Sequence, residues 1–169
     1  MGAHFLIYCD GGCPNNGQYG KAKMFGSFAI YKAEEEQEFL HVNEELHEKL
    51  HEREPVHFEH KFDIVSEKRN ESPTNNIAEA STLFTALSYA RTAGMLRRGN
   101  TLTVCCDSQL IINHMTGAFK CNSLALKAIY RAIYAMLKEE SERQGYNVER
   151  AIRFVWIPGT EMKQTILEH

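Results

Sequence analysis

Three strand-like runs precede the first helical stripe in this chain, and that order limits the folds open to it. His4–Cys9 is a β-rich run that meets the turn signal Asp10-Gly11-Gly12. Phe25–Tyr31 reads as a second strand, and His57–Val65 as a third with Phe58, Phe62 and Ile64 at even spacing. Only then does the period change. Ile77, Ala80, Leu83, Phe84, Leu87 and Ala90 form an apolar stripe at helical steps that ends at Gly94. Thr101–Cys106 is a short apolar run of the kind buried on both faces of a sheet. Asp107-Ser108 opens a helix running to about Met115, and a longer helix is expected from Leu124 to about Gln144. Ala151–Ile157 is the last strand, closed by Pro158-Gly159. The order β-β-β-α-β-α-α-β predicts an α/β fold. Three antiparallel strands should be joined by parallel strands that arrive through helices, giving a mixed five-stranded sheet with helices on its faces.

A chain of 169 residues can bury a core without metal or disulfide staples. Its apolar runs fall short of the roughly 20 residues that span a bilayer, and Met1-Gly2-Ala3-His4 lacks the basic flank of a secretion signal. No membrane association is expected. The five cysteines form an odd set with no Cys-x-x-Cys spacing, so reduced thiols and a cytoplasmic location are expected. No linker or repeat divides the sequence. A single domain over 1–166 is expected, and residues 167–169, Leu-Glu-His, match the start of a vector-encoded tag.

The net charge of −3 conceals an asymmetry. Between residues 33 and 60 ten glutamates face only Lys49 and Arg53, a balance of −8, which leaves +5 on the remainder. A polyanionic partner is therefore compatible with everything outside that block. The block centres on an acidic insert at about 33–56, where Phe39, Val42, Leu46 and Leu50 fit a short amphipathic helix. The insert is expected to project from the hairpin between strands two and three, clear of any nucleic acid, either as a surface for a protein partner or as a charged appendage. His47 and His51, four apart, read as part of a solvated helix face. The protein is expected to act as a monomer.

The acids carry the functional signal. Asp10 ends the first strand, Glu79 lies in the first turn of the first helix, and Asp107 ends the fourth strand. Singly, each has a structural explanation: Asp before Gly-Gly is turn chemistry, Asn76-x-x-Glu79 fits a capping box, and Asp107 can cap a helix. Jointly they say more. Carboxyl ends of adjacent parallel strands open onto one crevice, and a covering helix brings its N-terminus there. Like charges at about 4 Å repel by roughly 1 to 4 kcal/mol, so such a trio calls for a divalent cation. Oxygen donors alone point to Mg²⁺ or Mn²⁺, and two such ions suit phosphodiester hydrolysis.

In order and spacing, Tyr8-Cys9-Asp10-Gly11-Gly12-Cys13, Thr74-Asn75-Asn76-Ile77-Ala78-Glu79 and Cys106-Asp107-Ser108-Gln109 resemble type 1 ribonuclease H. Gly117-Ala118-Phe119-Lys120 and Phe154-Val155-Trp156-Ile157-Pro158 are similar to the same family. The resemblance implies an RNase H-like fold and an endonuclease that cuts the RNA strand of RNA–DNA hybrids, leaving a 5′-phosphate and a 3′-hydroxyl. It implies two Mg²⁺ or Mn²⁺ ions on Asp10, Glu79 and Asp107. Gly11, Gly12, Cys13 and Asn16 would approach the minor groove and its 2′-hydroxyls. Asn75, Asn76 and Gln109 would meet sugars and base edges, and Thr74 a DNA-strand phosphate. The family's fourth acid is missing: Met162 and Ile166 stand at its Asn and Asp positions, and no aspartate follows Asp107. Thr160 replaces a histidine common in bacterial members, and Glu161 falls too early to replace the acid unless the loop shortens. The resemblance therefore leaves a second expectation open, an impaired domain of the same fold that binds nucleic acid or protein.

Overall fold

The computed structural model describes residues 2–14, 23–65, 74–165 and 167. In chain order its elements are β1 (His4–Gly12), β2 (Met24–Lys32), α1 (Glu36–Leu40), α2 (Glu44–His51), β3 (His57–Ile64), α3 (Asn75–Thr92), β4 (Thr101–Cys106), α4 (Gln109–Met115), α5 (Leu124–Gln144), β5 (Ile152–Trp156) and α6 (Gly159–Met162), with one 3₁₀ turn at Val148–Ala151. The strands form one five-stranded sheet in the order β3-β2-β1-β4-β5. Pairing is antiparallel for β1/β2 and β2/β3, and parallel for β1/β4 and β4/β5. This is the mixed sheet that the order of periodicities predicts. None of the described helices is long and apolar enough to cross a membrane.

Side chains alternate across β1 and β4 and so supply two cores. On one face Ile7, Cys9, Val104 and Cys106 pack beneath Leu83 and Leu87 of α3 and Ile133 and Leu137 of α5. On the other, Leu6, Tyr8, Ala29, Tyr31 and Cys105 are covered by Leu46 and Leu50 of α2 together with Ile157, Met162 and Leu167. The second core corrects the expectation for the acidic insert. It forms two helices rather than one, and it lies on the sheet instead of projecting from it. Leu46 and Leu50 are one helical turn apart, and burying them keeps Tyr8 and Tyr31 dry. The glutamates stay outward except Glu38, whose carboxylate takes both arms of the Arg53 guanidinium and the Glu34 N–H. That pairing holds the Glu38 carboxyl below its usual range despite burial.

Helix starts follow the local chemistry. Thr74, not Asn76, caps α3 by accepting from the Ile77 N–H at 3.2 Å, and Ser108 caps α4 through the Ile111 N–H at 3.3 Å. The capping-box reading of Glu79 therefore fails: Glu79 is the fifth residue of α3, in its second turn.

Candidate metal and nucleic-acid site

β1 does not stop at Asp10. Gly11 and Gly12 continue its pairing with Gly26 and Phe25, so Asp10 is held inside a strand. Parallel pairing of β1 with β4 runs in register to Cys9↔Cys106, which sets Asp10 and Asp107 beside each other at the next position. Glu79 arrives from α3, which lies close against β1. A Cβ at Gly11 would stand 2.5 Å from the carbonyl of Ala78 and 2.6 Å from the Glu79 nitrogen, so only glycine allows this approach.

One oxygen from each of Asp10, Glu79 and Asp107 lies within 4.8 Å of the others. Among the described residues they are the one group of three or more acidic, histidine or cysteine side chains so arranged. Glu79 is buried, and its Oε2 has no hydrogen-bond partner among the described residues. Its carboxyl is pushed well above the usual range, first by burial and then by the neighbouring Asp107, Cys106 and Asp10, against a hydrogen bond from the Gly11 N–H. A buried carboxylate oxygen without a donor, facing two further carboxylates, is the donor set of a hard divalent cation. The residues fit Mg²⁺ or Mn²⁺.

The surrounding residues have structural tasks of their own. The Cys13 N–H donates to Asn75 Oδ1 at 2.7 Å and the Cys13 side chain is buried, so the segment after β1 is tied to the start of α3 rather than presenting that N–H to a ligand. Thr74 spends its hydroxyl acceptor on the α3 cap. Asn75, Asn76 and Gln109 are exposed at the starts of α3 and α4, near the acids. Gly12 follows Asp10 by two residues on the same strand. Asn16 lies outside the described residues.

Other features were not foreseen. The Trp156 indole N–H donates to the Asp107 carbonyl at 3.1 Å, so this tryptophan is a site neighbour as well as a rim aromatic. Gly159 adjoins the Asp107 carboxylate: a Cβ there would lie 3.7 Å from Oδ2. Pro158-Gly159 read only as a strand stop. Glu161 does not join the acids; its Oε1 lies 3.5 Å from His47 Nδ1, and burial with the nearby Glu44 raises its carboxyl pKa. His47 itself is wholly buried, whereas His51 is exposed. Arg98 bonds the Gly145 carbonyl and overlies Tyr146, which gives this basic residue a structural use.

Comparison with known proteins agrees with the fold. A family model described as reverse transcriptase-like matches residues 59–152, a span that contains Glu79 and Asp107. No curated protein matches the sequence significantly. Among solved structures, RNase H1 of the halophilic archaeon Halobacterium salinarum aligns with a TM-score of 0.64 at 17% identity over 96% of this chain and 91% of that one. The N-terminal RNase H domain of rv2228c from Mycobacterium tuberculosis aligns with a TM-score of 0.63 at 20% identity over 96% and 88%. LC11-RNase H1, solved with an RNA/DNA hybrid, aligns with a TM-score of 0.62 at 21% identity over 95% and 90%. At these identities the likeness is one of fold, and the fold is RNase H-like.

Proposed function

The chain belongs to the reverse transcriptase-like family and has the RNase H-like fold, and from that premise we propose that it is a metal-dependent endonuclease acting on the RNA strand of RNA–DNA hybrids. The observation that carries this reading is the carboxylate trio at the carboxyl ends of β1 and β4. Asp10, Glu79 and Asp107 would hold two Mg²⁺ or Mn²⁺ ions. Bound there, such ions supply the Lewis acidity for phosphodiester hydrolysis to 5′-phosphate and 3′-hydroxyl ends.

The protein's own residues do the rest. The Gly11 N–H steadies Glu79 in its ionised form, and the close approach of α3 to β1 keeps Glu79 beside the aspartates. Gly12, with open space where a side chain would stand, lets a ribose come near the backbone after Gly11, where a 2′-hydroxyl distinguishes RNA from DNA. Asn75, Asn76 and Gln109 offer amides to sugars and base edges, and the Thr74 hydroxyl can still donate to a phosphate while capping α3. LC11-RNase H1, whose solved structure holds an RNA/DNA hybrid, supports that substrate class.

Cleavage of end-labelled RNA within a hybrid, compared with duplex DNA and duplex RNA in Mg²⁺ and in Mn²⁺, tests the proposal. Hybrid-specific cutting that Asp10→Asn abolishes is expected; equal cutting by that variant would remove the assigned site. A second reading has one observation in its favour: among the described residues no fourth carboxylate joins the trio. In that reading the domain binds hybrids with little or no turnover, and gel-shift binding without cleavage in either metal would establish it.

A further inference from the structure

The acidic insert is joined to the segment that borders Asp107. Gln164 Nε2 donates to Glu44 Oε1 of α2 at 2.8 Å, and Arg153 of β5 donates to the Phe39 carbonyl of α1. Between these ties lies His47, wholly buried, with Nδ1 3.5 Å from Glu161 Oε1 and its ring edge-on to Tyr8 at 5.2 Å between centroids. Tyr8 is in register with Cys105, and these two precede Asp10 and Asp107 by two residues each. By strand alternation Tyr8 points to the same sheet face as Asp10, one pleat repeat of about 7 Å away. Glu161 belongs to α6, the helix that Gly159 opens alongside Asp107 Oδ2. One imidazole thus touches both the floor behind the aspartates and the helix beside one of them.

Stability alone gives no reason for a histidine here. Neither ring nitrogen has a hydrogen-bond partner among the described residues, and a buried polar group left so is costly. Burial keeps the ring neutral, with its pKa lowered to about 4. Leucine would fill comparable space against Tyr8 without that cost.

We infer that His47 is a positioning residue for the carboxylate site: through Tyr8 and Glu161 it seats the β5–α6 segment against Asp107 and so raises the affinity of Asp10, Glu79 and Asp107 for their divalent cation. The inference rests on the metal-site reading above and gives the insert a task within it.

The test is a calorimetric titration of Mn²⁺ into the full chain, wild type and His47→Leu, with thermal unfolding in chelator alongside. His47→Leu should weaken Mn²⁺ binding roughly 3- to 10-fold, the range expected for a residue acting through packed neighbours. Its melting temperature without metal should equal or exceed that of the wild type. Glu161→Ala should weaken binding to a similar extent, and the double variant no further, since both act on one linkage. In hybrid cleavage, the Mg²⁺ concentration for half-maximal rate should rise while KM for hybrid stays put. Mn²⁺ affinity within twofold of wild type overturns the inference, as does weaker binding that tracks a loss of melting temperature. Failure of wild type to bind Mn²⁺, or Asp107→Asn binding as tightly as wild type, overturns the metal site first and this inference with it.

Discussion

Gly11→Ala is the smallest change that separates the three acids. The added Cβ would stand 2.5 Å from both the carbonyl carbon and oxygen of Ala78, and 2.6 Å from the Glu79 nitrogen. Ordinary contact begins near 3.4 Å, so α3 and β1 must part locally by roughly 1 Å, against backbone rather than a yielding side chain. Overpacking of this kind costs about 1 to 3 kcal/mol. For a domain of this size that lowers the melting temperature by roughly 2 to 12 °C. The same shift carries Glu79 away from Asp10 and lengthens its hydrogen bond from Gly11. A misplacement of about 1 Å at a catalytic group costs on the order of 100-fold in rate, so loss of hybrid cleavage should exceed loss of stability. Thermal unfolding, Mn²⁺ titration and single-turnover cleavage on one preparation measure all three. A variant with wild-type melting temperature and metal affinity would refute the close-approach account of this glycine.

Further outcomes follow from neighbouring contacts. His47, its pKa lowered from 6.5 to about 4 by burial, takes up its proton more readily when unfolded, so stability should fall as pH drops from about 6.5 towards 4, by at most about 3 kcal/mol. Denaturant unfolding at stepped pH should show His47→Leu with a shallower slope over that window; identical slopes would contradict the burial of the ring. Thr74→Ala should cost about 0.5 to 2 kcal/mol through loss of the α3 cap, with Thr74→Ser close to wild type in chemical denaturation. Gly159→Asp, whose Cβ would fall 3.7 Å from Asp107 Oδ2, should bring a fourth carboxylate to the trio and tighten Mn²⁺ binding several-fold by calorimetry. Unchanged affinity would show that position 159 does not face the site.

The sheet and its main helices were legible because their burial is periodic: β4 and α5 fall where the apolar patterns put them. The acids were legible for a related reason, since parallel neighbours in register turn two distant Asp positions into a pair. What the pattern could not show was where partners come from. By sequence Asp10 ends its strand, because Gly-Gly usually signals a turn, yet Gly11 and Gly12 keep pairing with Gly26 and Phe25. By sequence the insert projects from the hairpin, because its glutamates outnumber its apolar residues. A hint lay in Leu6, Tyr8, Ala29 and Tyr31, an apolar row on the alternate face of β1 and β2 that needs a cover. That row is filled from a different part of the chain, and no local period reports it. Gly159 and Glu161 sit in a helix of four residues, too short to carry a period at all.

The central claim is that Asp10, Glu79 and Asp107 act together as a cation site. Crystals grown with Mn²⁺ and measured at the manganese absorption edge address it most directly. Anomalous density should appear in contact with oxygens of all three residues and vanish in Asp107→Asn. Well-ordered carboxylates with no anomalous peak among them, at Mn²⁺ concentrations that saturate a millimolar site, would contradict the account.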